Sequence, residues 1–211
     1  MGLGRREFIR LLGTTVVGLT LDPGPAIALL GNVYVNRKLG IAFQKPQGWF
    51  FNHAEAMGNV KDGQVLALDD PDLAEFVRAS TELPIVSISE GEVSAQSSRF
   101  TPGINLYVQG YVDPPDVLVL AEEDSCDCQD MLRDFQVLAV PERCTLSHCP
   151  ASETLSAFLF EHKNMPTPVR VRMRTLLVHQ PPRLYTIRMY DSPYHDMAFD
   201  YDHFRSTIWI V

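Results

Sequence analysis

Two close pairs of cysteines, Cys126-Asp127-Cys128 and Cys144-Thr-Leu-Ser-His148-Cys149, are the first residues whose type and spacing can do chemistry. In an oxidising compartment an even cysteine count reads as a disulfide framework, most simply with one pair bridged to the other. A bridge inside Cys126-x-Cys128 would be strained. The competing chemistry is a metal centre, because thiolates from both pairs with His148 beside them suit zinc or Cu(I). Neither spacing is the common C-x2-C knuckle, so disulfides are the expectation and a metal ion the alternative. No other cofactor is expected.

Carboxylates and imidazoles crowd the C-terminal region, from Asp191 through His195 and Asp196 to Asp202. On a helix, Asp196, Asp200 and His203 fall at i, i+4 and i+7 and share a face. Such a face can hold a divalent ion. It is also the ordinary solvated face of an amphipathic helix, with Asp196 favoured at the positive end of the dipole. Arg170, Arg172 and Arg174 project from one side of one strand, about 7 Å apart. Three guanidinium groups so placed can grip a carboxylate-rich or phosphorylated partner. In an acidic protein such a row more often pairs with the chain's own Asp and Glu side chains or faces water. The sequence beyond its leader holds no G-x-S-x-G, H-E-x-x-H, Walker or G-x-G-x-x-G pattern, and the chain is read as non-catalytic.

The elements that position these groups are mostly strands. Residues 104–109 and 169–174 alternate apolar and polar, as half-buried strands do. Residues 184–190 follow Pro181-Pro182, whose rings mark a turn, so 169–190 reads as an antiparallel hairpin. Further strands are expected at 40–43, 65–68, 85–89 and 155–160. Helices are expected at 125–138 and near the end. There Ser192 would cap, Pro193 would open the helix, and Tyr194, Met197, Ala198, Tyr201, Phe204 and Ile208 would form its apolar stripe. A short helix or turn begins at Asp70-Pro71. The sum is α+β, a mostly antiparallel sheet covered by helices.

The N-terminus is an address. Arg5-Arg6-Glu7-Phe8-Ile9-Arg10, a diluted apolar run over 11–21 and Ala26-Ile27-Ala28 resemble a twin-arginine signal, which exports folded proteins in bacteria and thylakoids. Arg5, Arg6 and Phe8 carry the likeness, and small Ala26 and Ala28 suit a signal peptidase. The run is short of the roughly 20 residues that span a bilayer. Cleavage is expected after Ala28, leaving residues 29–211 as one domain with no transmembrane anchor. Losing Arg5, Arg6, Arg10, Glu7 and Asp22 takes the formal charge from −8 to −9. So acidic a surface repels nucleic acid on average, and no nucleic-acid partner is expected. The compartment is a periplasm, or a thylakoid lumen if the host is photosynthetic.

The order of elements resembles PsbP-like domains, of the wider group of α/β/α sandwiches that includes a Ran-binding family. Tyr34 to Phe43 followed by Pro46-Gln47-Gly48-Trp49 is similar to their opening. Val65 to Pro71 and Pro84 to Ser89 are similar to their next strands, and Phe204-Arg205-Ser206-Thr207-Ile208 to their closing helix. A Ser-Phe pair is commoner where this chain has Ser206-Thr207. The resemblance implies an α/β/α sandwich around an antiparallel sheet. It also implies work as an assembly factor, extrinsic subunit or binding protein rather than an enzyme. Lumenal members associate with photosystem II, and nothing in this chain singles out that partner. The expected role is binding a protein partner, or a membrane-associated complex, through strand edges and the arginine face.

Overall fold

Period-two patterning builds the centre of the molecule. In the computed structural model, which describes residues 27–68, 71–72, 74–75, 82–93, 99–111 and 116–211, β6 (Gly103–Gly110), β9 (Val169–Gln180) and β10 (Arg183–Asp191) lie side by side in a seven-stranded sheet. Its order is β4-β5-β6-β10-β9-β8-β7, every pairing antiparallel. The remaining members are β4 (Phe50–Phe51), β5 (Val86–Ser89), β7 (Gln136–Leu146) and β8 (Cys149–Phe160). A smaller sheet, β1-β2-β3-β11, joins Ile27–Leu30, Val33–Asn36, Ile41–Gln44 and Trp209–Ile210. The helices are α1 (Ala54–Gly63), α2 (Val117–Met131) and α3 (Ala198–Ser206).

Alternation gives the large sheet two apolar faces. Along β10, Tyr185, Ile187 and Met189 point one way, into a core shared with Ile104, Leu106, Leu176 and Val178. That core is closed by Tyr34, Ile41 and Phe43 of the small sheet and by Met197, Tyr201 and Phe204 around α3. The opposite face carries Leu177 and Leu184 against Leu120 and Ala121 of α2, and Val171, Met173 and Phe158 against Cys128. The architecture is therefore the expected α+β layered sandwich around an antiparallel sheet. One outer layer is a small sheet plus a helix rather than helices alone.

The turns follow local chemistry. Gly48 has φ +82 in Pro46-Gln47-Gly48-Trp49, and Trp49 N–H donates to the Pro46 carbonyl at 3.2 Å, the turn that requires glycine at its third position. Ser147 and His148 both have positive φ, +51 and +69, and Leu146 faces Cys149 across them. This is the two-residue hairpin geometry that matches strand twist. Thr207 ties α3 to β3. Its hydroxyl accepts from Gln44 N–H at 3.0 Å and lies 2.7 Å from the Phe204 carbonyl.

Three elements depart from the sequence reading. The second helix runs over 117–131 instead of 125–138, because Asp116 accepts a hydrogen bond from Leu118 N–H at 2.9 Å and starts it. Asp134, at φ +51, then turns the chain, so Phe135 lies in the connection and Leu138 in β7. Residues 65–68 form no strand. Val65 N–H and Ala67 N–H donate to Glu161 and Met131 carbonyls, which anchors the segment without a ladder. The last helix starts at Ala198 and not at Ser192. Residues 192–195 make a turn, with His195 N–H donating to the Ser192 carbonyl at 2.9 Å, and Tyr194 is 93% exposed rather than part of the stripe. Arg5, Arg6, Phe8 and Ala26 lie outside the described residues, as does part of the segment opening at Asp70. Ala28 sits in β1, opposite Val35.

Candidate binding site

The sheet itself separates the two cysteine pairs. Cys126 and Cys128 ride on α2, and Cys128 is buried against Phe158, Val171 and Met173 on that face. Cys149 belongs to the opposite core, with Cys144 packed against it. All four are free thiols, so the expected bridge between the pairs is not formed; it would have to pass through a β-sheet. Burial pushes Cys128 up to about 11 and raises Cys144 and Cys149 as well.

The Asp/His face is dispersed. Asp196 precedes α3 and is spent on its start, accepting from Ala198 N–H at 3.0 Å and from Arg172 at 2.9 Å. Asp200 and His203 lie on the helix, outside any such contact with Asp196. Among the described residues no group of three or more His, Cys, Asp or Glu side chains is arranged to hold a metal.

The arginine row is internally matched. Arg172 makes a two-pronged pair with Asp191 at 2.8 and 2.7 Å. Arg174 meets Asp202 at 2.7 Å and Glu153 at 3.4 Å, and Glu153 also pairs with Arg205 at 2.5 Å. Arg170 donates to the Asp134 carbonyl and the Gln136 side chain. These guanidinium groups fasten β9 to β10, α3 and the start of β7, so the expected partner-gripping face is occupied by the chain's own acceptors.

What the structure does assemble is a cavity of about 260 Å³ on the α2 side of the large sheet. Alternation puts Ser87 of β5, Asn105 and Tyr107 of β6, Arg188 and Tyr190 of β10 and Phe158 of β8 on its floor. Met57, Val60 and Lys61 of α1, Met131 of α2 and residues 82–84 and 99–101 enclose it. Aliphatic, thioether and aromatic groups make most of the wall. One wall is set by backbone contact: a Cβ at Gly63 would lie 2.0 Å from His162 Nε2, so glycine lets the imidazole pack directly on the end of α1.

The floor holds one cation, about three-quarters buried. Arg188 Nη2 donates to Asp124 of α2 at 2.5 Å, and its guanidinium lies 5.9 Å from the Tyr107 ring centroid. Arg188 Nε has no hydrogen-bond partner among the described residues. Burial opposes its charge, but Tyr190, Asp124, Cys128 and Tyr107 around it hold its pKa above the ordinary arginine value. Burial pushes Tyr107 and Tyr190 upward, so both hydroxyls stay protonated. The ensemble can bind an apolar body and hydrogen-bond an acceptor atom at one end. Sequence reading missed it. A visible signal existed, since Arg188 stands between apolar Ile187 and Met189 in the middle of a strand rather than at its end.

No protein-family model matches the sequence, and no curated protein matches it. Solved structures do. Cyanobacterial PsbP (CyanoP) from Synechocystis sp. PCC 6803 superposes with a TM-score of 0.52 at 10% identity, over 90% of this chain and 100% of that one. LpqN, involved in cell envelope biogenesis of Mycobacterium tuberculosis, gives 0.47 at 11% identity, over 81% of this chain and 83% of that one. At such identities what is shared with CyanoP is the PsbP-like fold.

Proposed function

We propose that this chain is an exported, non-catalytic binding protein that holds a small apolar molecule in the cavity between its large sheet, α1 and α2. The observation that carries this reading is the cavity itself: 260 Å³, mostly apolar, with a few convergent polar groups on the floor. That combination is the usual build of a small-molecule site. The PsbP-like fold supports a binding or accessory role over catalysis by analogy only. The twin-arginine leader supports work in a periplasm, or in a thylakoid lumen in a photosynthetic host. No helix among the described residues is long and apolar enough to cross a membrane.

Titration with the neutral fluorophore N-phenyl-1-naphthylamine tests the cavity. Saturable binding near one per chain is expected, and Met131→Trp, which fills the wall, should weaken it at least tenfold. Unsaturable binding, or binding indifferent to Met131→Trp in a folded variant, would end this reading. Export is tested separately by replacing Arg5 and Arg6 with lysines. The precursor should then accumulate in the cytoplasm, and normal export would remove the compartment from the proposal.

A second reading, binding of a protein partner, is favoured by β7. This strand ends the large sheet, and Val137, Leu138 and Val140 are 43%, 51% and 69% exposed on it. Pro141 and the register shifts between Val137 and Glu142 blunt part of that edge against pairing, leaving the apolar side chains as the contact.

A further inference from the structure

We infer that the signal-peptidase site of this chain is Gly24-Pro25-Ala26, so that the exported protein begins at Ile27 and not at Leu29. This rests on the leader reading and is independent of the cavity. The first argument is that β1 belongs to the folded body. Ile27, Ala28, Leu29 and Leu30 pair in antiparallel register with Asn36, Val35, Tyr34 and Val33. Gly31-Asn32 joins the two strands, with Gly31 at φ +62, and the Asn32 carbonyl accepts from Lys45 N–H at 2.9 Å. That bond ties the hairpin tip to the chain leaving β3. Ala28 packs against the buried group Val33, Val35 and Ala42. The second argument is where the ladder ends. Asn36 is 4% exposed, and its side-chain oxygen accepts from Leu39 N–H at 3.0 Å, which turns the chain out of β2. Ile27, opposite Asn36, is therefore the last rung that β2 offers.

Two triplets put small side chains one and three residues before a cut, Gly24-Pro25-Ala26 and Ala26-Ile27-Ala28, and a peptidase pocket accepts either. Pairing decides between them. A twin-arginine leader delivers a body already folded, so the β1–β2 ladder exists before the peptidase acts. Cutting after Ala28, the expectation from sequence, needs Ile27, Ala28 and Leu29 lifted out of their rungs. Cutting after Ala26 needs at most the last rung opened. Cleavage through a transient opening is slowed in proportion to the small population of the open form. The step is hydrolysis: water adds across the Ala26–Ile27 peptide bond, leaving a carboxylate on Ala26 and an amine on Ile27. A cut after Ala28 would instead strip Val35 and Asn36 of their partners and leave half the hairpin.

The test is intact-mass measurement and N-terminal sequencing of the full chain, expressed in a bacterium with a twin-arginine pathway and recovered from its periplasm. The exported form should start at Ile27, in at least about tenfold excess over any form starting at Leu29. Gly24→Phe, which puts an aromatic ring three residues before the proposed cut, should abolish the Ile27 start. Ala28→Leu, which spoils only the other triplet, should leave it unchanged. A Leu29 start in the wild-type chain would overturn the assignment and leave export intact. So would processing that survives Gly24→Phe unaltered but is lost in Ala28→Leu, or an exported chain that keeps its leader. If no chain reaches the periplasm, the leader reading itself fails and the site falls with it. The start found in the wild-type chain decides the matter even if a variant does not fold.

Discussion

Asp191→Ala lowers the unfolding free energy by about 3 kcal/mol. Asp191 ends β10 at 5% exposure, and its two oxygens serve three donors. Arg172 Nε and Nη2 donate at 2.8 and 2.7 Å, and Met197 N–H, at the start of α3, donates at 3.0 Å. Charge-assisted, two-pronged bonds of this kind are the stronger ones. Alanine leaves the Met197 amide without its partner and Arg172, 29% exposed, with only the solvent-facing Asp196. Water reaching Arg172 keeps the loss at the low end of the range for a broken buried pair. Urea unfolding reads it as a lower midpoint with unchanged m. Asp191→Asn keeps an acceptor and should lose less. An alanine variant with the wild-type midpoint would show that α3 is held by its apolar side alone.

The strands that alternate strictly were legible from sequence, because a half-buried strand must write its two faces into odd and even positions. Residues 104–109 and 169–174 are of this kind, and the hairpin joining β9 to β10 was readable from Pro181-Pro182. The helix starts were less legible. Ser192-Pro193 has the residue types of a cap, but the side chains that satisfy the first amides of α3 are Asp191, already fixed by Arg172, and Asp196. A cap chosen by tertiary contact has no purely local signature. For α2 the cap, Asp116, is local, but the stripe Met131, Leu132, Phe135 and Leu138 looked stronger than Val117, Leu120 and Ala121, the residues that are buried.

The site was least legible of all. Cysteines and clustered Asp/His residues advertise themselves by type, yet the sheet parts the thiol pairs and the helix start consumes Asp196. Arg188 and Asp124, 64 positions apart, announce nothing alone. Their meaning comes from β10 lying at the middle of the sheet with α2 across it, which is a fact of topology. The arginines at 170, 172 and 174 show the converse. Their spacing was read correctly, and their partners Asp191, Asp202 and Glu153 come from other elements.

Asp124→Asn isolates the cavity's cation. The Arg188–Asp124 pair is about one quarter open to solvent, at 23% and 22% side-chain exposure. Removing the counter-charge from a fully buried pair costs about 3–5 kcal/mol, and screening at this exposure brings the expectation to about 2 kcal/mol. For a chain of this size that is a fall of about 6 °C in Tm. Thermal unfolding of the two chains measures it, and a variant with the wild-type Tm would show that the pair adds nothing to the apolar contacts of Leu120 and Ala121 that hold α2 on the sheet.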